Sequence, residues 1–187
     1  MTSPLNDLDV DNLFWHLPMA IIVARHRVMV ACNQRALEVF QAAREQIIGQ
    51  SFEVLYPERK DFESAALHFG PMLAVHADFE DERMMRRLDG THLWLSVRGY
   101  GFHEENPYEL AAWVFNKVVS ADSKGSRSAG LTERERDVAA LLLDGLTSKE
   151  IARRLGISPR TVDVHRGTLI RKHGVNTKSE LINRLAE

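Results

Sequence analysis

Arg160, Asp163, Val164, Gly167 and Arg171 recur at steps of three and four near the carboxyl-terminal end of the chain. On a helix that spacing gathers the five into one stripe. Such a helix fits the major groove of B-DNA, where a carboxylate accepts from the cytosine amino group and a valine touches the thymine methyl. Gly167 costs roughly 1 kcal/mol against Ala in mid-helix, which is understandable where a backbone must approach DNA closely.

A stripe of this kind needs a rigid frame, and residues 131–185 supply its signals. Thr132, Thr147 and Thr177 each precede a Glu by three positions, Glu135, Glu150 and Glu180. In this capping box the Thr hydroxyl accepts from the amide three residues on, while the carboxylate accepts from the amide of the Thr. Ser158-Pro159 starts a further helix with a hydroxyl cap and a residue whose missing N–H costs nothing there. Gly145 and Gly156 stand where the first two helices should stop. Apolar stripes at helical period follow: Val138, Leu141, Leu142; Ile151, Ala152, Leu155; Val162, Leu169, Ile170; and Leu181, Ile182, Leu185. The pattern predicts four short helices around one small core, with Gly156-Ile157-Ser158 as the turn of a helix-turn-helix.

Leu131 to Glu135, Ser148 to Ala152 and Ser158 to Arg166 strongly resemble the LuxR/NarL-type DNA-binding domain. The resemblance covers residues 131–187. It implies that the third of these helices is the recognition helix, with Asp163, Val164 and Gly167 reading bases. It also implies that Ser148, Lys149, Ser158, Arg160, Thr161, Arg166 and Arg171 grip the DNA backbone. Two positions depart from the family: Asp163 stands where Lys or Arg is common, and Thr168 where Asn is common. The first should move base preference away from guanine. His165 also matches the motif, in a partly structural role. The implied partner is double-stranded promoter DNA. The fourth helix is short for an isolated one, so its stripe should dock or dimerise. A homodimer would place two recognition helices about one DNA turn apart, on a near-palindromic operator.

The formal net charge of −2 conceals a division along the chain. Residues 1–120 hold 11 Lys and Arg against 17 Asp and Glu, a balance of −6; residues 121–187 hold 13 against 9, a balance of +4. A basic unit joined to an acidic one suits a DNA reader attached to something that is not one. With 187 residues, 44% hydrophobic and 27% charged, the chain has the composition of soluble globular protein and room for two small domains. A single Cys excludes an internal disulfide framework and a multi-cysteine metal site. No run reaches the length of a membrane span, and Met1 to Pro18 lacks the features of a signal peptide. A cytoplasmic location is expected.

The amino-terminal part begins with an amphipathic helix over 7–17, offering Leu8, Leu13 and Leu17 or Phe14 on one face and stopped by Pro18. Met19 to Ala24 and Val28 to Ala31 flank the polar turn Arg25-His26-Arg27 and read as a β-hairpin. Asn33 caps a helix through Phe40, short helical pieces run through Gln46 and around Phe52–Leu55, and a longer helix spans Glu58 to His68 until Gly70-Pro71. The period then changes to two over 79–88, 91–102 and 108–119, with Asp89-Gly90 as a hairpin turn. Both faces of the resulting sheet carry apolar groups. Leu93, Leu95, Val97 and Val114 are assigned to the face over the helices, and Trp94, Tyr100, Trp113 and Phe115 to a face covered by the amino-terminal helix or a second subunit.

Val28 to Phe40, Ile48 to Phe52, Asp89-Gly90-Thr91 with Trp94 and the closing strand resemble a PAS sensor domain. That resemblance implies a cavity between sheet and helices for haem, flavin, a metabolite or nothing. The cavity residues expected are Asn33, Leu37, Phe40, Leu55, Arg86, Leu93, Leu95, Val97 and Val114, with Arg86 or Arg87 able to clamp a ligand carboxylate. His68 and His76 fall about where haem-binding PAS domains place their iron ligand. Cys32 precedes Asn33 instead of following it, which rules out a flavin photoadduct. No catalytic constellation is present, and Asp7, Asp9 and Asp11 do not follow an apolar strand as a phosphoacceptor would.

The fold predicted is α+β: a PAS-like antiparallel sheet with short helices over 7–119, a flexible Ser/Gly-rich linker over 120–130, and an all-α helix-turn-helix domain over 131–187. The function predicted is a non-enzymatic transcriptional regulator whose sensor domain takes a small molecule or cofactor of unknown identity. Two alternatives stay open for that domain: a haem-based gas or redox sensor, and a ligand-free module for docking a kinase or RNA polymerase.

Overall fold

The computed structural model describes residues 9–76, 79–117 and 131–186. Two hydrophobic clusters organise it, one before and one after the stretch 118–130. The linker expectation for 120–130 and the helical positions Asp7 and Leu8 lie outside the described residues.

The first part is α+β. Its order is α1 (Val10–Trp15), β1 (Ala20–Arg25), β2 (Val28–Cys32), α2 (Gln34–Phe40), two single turns at Arg44–Gln46 and Phe52–Leu55, α3 (Arg59–Ala74), then β3 (Asp81–Arg86), β4 (His92–Gly101) and β5 (Ala111–Lys117). The five strands form one sheet in the order β2-β1-β5-β4-β3, antiparallel throughout. The chain closes on itself because β5, last in sequence, pairs with β1 in the middle.

Asn33 is the junction that makes this compact. It is fully buried, and its Oδ1 accepts from the amides of Ile21 and Ala36 at 2.9 and 3.1 Å. Its Nδ2 donates to the Met19 carbonyl at 2.8 Å, so one side chain caps α2 and ties it to β1.

Two expectations are corrected here. The long helix does not stop at Gly70-Pro71 but runs on to Ala74. Pro71 faces solvent, as does Leu67, whose carbonyl loses its helical partner. Meanwhile Phe69 and Leu73 are each 1% exposed and hold the last turn against the sheet. The second correction concerns β5. Val97 pairs with Phe115 and Gly99 with Trp113, so Trp113 and Phe115 point into the helix-covered core, while Val114 pairs with Arg98 on the opposite face. Gly99 lets this happen, since a Cβ there would lie 2.7 Å from the Trp113 ring.

The second part is four helices: α4 (Glu133–Leu143), α5 (Ser148–Leu155), α6 (Pro159–His173) and α7 (Lys178–Ala186). The first two caps form as the sequence predicts, with reciprocal Thr–Glu bonds at Thr132/Glu135 and Thr147/Glu150. At the fourth helix the box is shifted: Thr177 Oγ1 accepts from the Glu180 amide, but the carboxylate takes the Asn176 amide instead. Gly156 ends α5 in the left-handed conformation at φ 67°, which opens the turn into α6. Val138, Ile151, Val162, Leu169 and Leu181, all at 0% exposure, form the shared core. No helix among the described residues is long and apolar enough to cross a membrane.

Candidate DNA-reading surface and sensor cavity

α6 is fixed before anything touches it. Ser158 Oγ accepts from the Thr161 amide at 3.1 Å, and Gly174 closes the far end. Val162 and Leu169 anchor its inner side, and Lys172 Nζ donates to Glu135 Oε2 on α4 at 2.6 Å. Burial opposes ionisation of Glu135, yet the bonds from Lys172 and Thr132 outweigh it and hold the carboxyl below its usual range. Arg171 and Lys172 occupy the last turn, where positive charge meets the negative end of the helix dipole, while burial and then Arg184 and Lys172 push the neighbouring His173 imidazole below its usual range.

The outer side carries the expected stripe. Val164 is 62% exposed, and Arg160, Asp163 and Arg171 are exposed beside it. A Cβ at Gly167 would meet nothing within 4 Å. Internal packing therefore gives no reason for glycine at this point of the helix.

Three residues of the expected contact set are bonded to one another. Ser148 Oγ, at the start of α5, donates to Asp163 Oδ1 at 2.9 Å. Arg166 donates to Ser148 Oγ at 2.9 Å and lies 3.0 Å from Asp163 Oδ1. The carboxylate thus compensates the Arg166 charge and links the two helices of the helix-turn-helix. Arg171 donates to Thr168 Oγ1 at 3.1 Å, Lys149 is exposed on α5, and His165 is half-buried. The Ser158 and Thr161 hydroxyls lie 2.8 Å apart at the helix start.

In the first part a cavity of about 20 Å³ lies between the sheet and α3, lined by Ala24, Arg27, Phe52, Ala65, Phe69 and Trp113 among others. Of the residues expected to line it, only Val97 does. Phe40, Leu55, Leu93 and Leu95 are core, Leu37 packs at its margin, and Asn33 is consumed by its four backbone bonds. Val114 lies on the other sheet face. The two arginines offered as clamps serve structure: Arg86 donates to the Val54 carbonyl, and Arg87 to the Val39 carbonyl and Thr91.

Neither histidine offered as an iron ligand lines the cavity. His68 lies 3.9 Å from Asp81, and His76 stacks on Tyr100 with ring centroids 4.8 Å apart. A space of about 20 Å³ holds about one water-sized group and no macrocycle.

Arg27, in sequence only part of a polar turn, lines this cavity. Its guanidinium sits 3.3 Å over the Phe62 ring and donates to the Phe62 carbonyl. The signal available was the turn itself, a two-residue hairpin without the Asn or Gly it prefers.

The two parts touch. α4 packs on the outer face of β4, and Trp94 joins the helical core there, not an amino-terminal helix or second subunit. Asp144 Oδ1 accepts from the His92 amide at 2.9 Å and lies 2.7 Å from His92 Nδ1. Asp144 Oδ2 and Trp94 Nε1 are buried with no hydrogen-bond partner.

Comparison with known proteins agrees with both halves of this geometry. A PAS domain model matches residues 17–116, and the model of bacterial regulatory proteins of the luxR family matches 129–185. The transcriptional regulatory protein UhpA of Salmonella typhimurium is 51% identical over 98 residues, 48% of this chain and 50% of that protein. The sensor protein TdiS of Thauera aromatica is 33% identical over 106 residues, 57% of this chain and 19% of that protein. The chain thus spans half or less of the length of these relatives. A crystal structure of the PAS domain of a LuxR-family transcriptional regulator from Burkholderia thailandensis, solved with ethanol, is 31% identical. It aligns over 60% of this chain and all of that one, with a TM-score of 0.56. The five-stranded sheet, the capped helix-turn-helix and these matches place the chain in the PAS-domain family, joined to a DNA-binding domain of the luxR family.

Proposed function

We propose that the chain is a non-enzymatic transcriptional regulator: a sensor unit over 7–119, a connector over 120–130 and a DNA reader over 131–187. The observation that carries the reader is the open surface around Gly167. A glycine in mid-helix costs roughly 1 kcal/mol, and no neighbour among the described residues requires it. A requirement from outside, the close approach of a duplex, accounts for it. Asp163, Val164 and Gly167 then read base edges, while Ser148, Lys149, Ser158, Arg160, Thr161, Arg166 and Arg171 hold phosphates. The partners are promoter DNA, RNA polymerase and a second copy of the chain, and the compartment is the cytoplasm.

Gly167→Ala tests this directly. The variant should melt at or above the wild-type temperature and bind promoter DNA at least about tenfold more weakly, a loss of roughly 1.4 kcal/mol. Unchanged DNA affinity in a stable variant would place the reading surface elsewhere.

For the sensor unit the cavity beside Arg27 supports detection of a small molecule, with the α4–β4 contact as the route to the reader. The ethanol in the Burkholderia thailandensis domain belongs to that protein, and it favours small ligands over macrocycles for this one.

A further inference from the structure

The turn between β1 and β2 places an arginine where the PAS cavity opens. His26 and Arg27 both adopt left-handed backbone, φ 47° and 65°, which residues with a Cβ rarely do. Neighbouring chain holds them there: the His26 amide donates to the Tyr108 carbonyl at 2.6 Å, and the Phe52 amide donates to the Arg27 carbonyl at 2.9 Å. The Arg27 guanidinium is thereby turned back over Phe62, with Tyr108 at 5.7 Å on its other side, and it lines the cavity.

Among the described residues no carboxylate lies within ion-pair distance of this cation. Glu53 and Glu63 act on it only from beyond ion-pair distance, and its one hydrogen bond among the described residues goes to the Phe62 carbonyl. The other arginine near the cavity, Arg83, is buried and paired with Asp81. The Tyr108 hydroxyl is spent on the Ala66 carbonyl at 2.9 Å, so it offers no competing donor. Of the remaining walls only Tyr56 carries a hydroxyl, engaged with Arg83, and the rest, among them Ala24, Phe52, Ala65, Phe69 and Trp113, are apolar or aromatic. A half-buried guanidinium facing a small, mostly apolar space is placed to take an anionic partner.

We propose that this cavity takes a short-chain monocarboxylate, its carboxylate on Arg27 and its alkyl end among Ala65, Phe69 and Trp113. The proposal rests on the sensor reading above and adds the ligand class. The guanidinium fork matches a carboxylate in two parallel hydrogen bonds, which an alcohol cannot supply. The size limits the chain length: about 20 Å³ holds about one water-sized group, so only a carboxylate of a few carbons enters, with Arg27 moving at the cavity wall to admit it.

The test is titration of the full chain with acetate, propionate and butyrate against ethanol, 1-propanol and 1-butanol, at constant ionic strength. Binding is followed through the Trp113 indole proton by NMR and by calorimetry. At least one carboxylate should bind saturably, and Arg27→Met should weaken it by about tenfold or more, while Arg27→Lys retains part of the affinity. Ala65→Leu, which fills the space, should abolish binding with the melting transition still cooperative. The proposal is overturned by carboxylates bound equally by Arg27→Met, by carboxylates bound despite Ala65→Leu, or by alcohols bound in their place. The last leaves the sensor reading standing with a neutral ligand. Binding of neither set also overturns the proposal, and the sensor reading falls with it only if Ala65→Leu fails to alter DNA binding in the presence of a small-metabolite extract.

Discussion

Asp163→Ala should make the protein bind DNA more steeply with salt, not less, although the residue lies on the reading surface. The Asp163 carboxylate holds Arg166 at 3.0 Å and accepts from Ser148 at 2.9 Å, so before DNA arrives the Arg166 charge is compensated. Removing it leaves Arg166 bound only to the neutral Ser148 hydroxyl, so its charge becomes available to a phosphate. The ion pair itself is exposed, at 31% and 50% of the two side chains, and its loss should change stability by no more than about 0.5 kcal/mol. Each added phosphate contact makes the slope of log K against log salt more negative by roughly 0.9. Between 50 and 200 mM salt that one contact is a difference of about 3.5-fold in the ratio of variant to wild-type affinity. Fluorescence anisotropy on a random-sequence duplex at four salt concentrations reads it. At 50 mM the variant should bind the random duplex more tightly than wild type and should lose discrimination at one base pair of a selected operator. A slope equal to or shallower than wild type would mean that Arg166 does not reach a phosphate, and the assignment of both residues would fail.

Other expectations follow from the same structure. Asp144→Ala, and to a smaller degree His92→Ala, should raise hydrogen exchange at both the start of β4 and the end of α4 while leaving α6 protected; a change confined to the mutated segment would argue that the two units are not coupled there. Glu135 has its carboxyl held below the usual range, so the stability it contributes is present above the unfolded value and is lost as pH falls through the lower folded one. Glu135→Gln keeps the cap geometry and should flatten that acid limb in denaturant titrations of the reader; an unaltered limb would show that another group governs it. Gly99→Ala should destabilise the sensor unit by about 1–3 kcal/mol, since its methyl would lie 2.7 Å from Trp113, and an unchanged melting temperature would contradict the packing described.

The reader was legible because its signals are local. Thr132 and Glu135 need only three residues to make a cap, and Gly156 needs only its own backbone. The cap at Thr177 slipped because two amides compete for the Glu180 carboxylate, which spacing alone does not decide. The PAS unit was legible in its elements and less so in its faces. In β5 both alternating sets are apolar, so nothing local says that Trp113 points inward; that depends on Gly99 across the sheet. α3 outlived its Gly-Pro stop because Phe69 and Leu73 are buried against strands from elsewhere in the chain. Arg27 was missed for the same reason: its rings, Phe62 and Tyr108, lie far along the sequence.

Trp94 Nε1 and Asp144 Oδ2, stranded where the sensor sheet meets α4, set the tone of the whole assembly. Each would be hydrated if the units parted, and each costs about 1–3 kcal/mol where it lies. That cost opposes the apolar contact of Trp94 and the His92–Asp144 bonds. Parting the units would hydrate both groups and so offset part of the contact that is lost. A joint with every polar group satisfied would resist parting more, and would ask more preference of a ligand, than this one. The imperfect seam is thus what would let a molecule of only a few atoms redirect a protein that binds DNA.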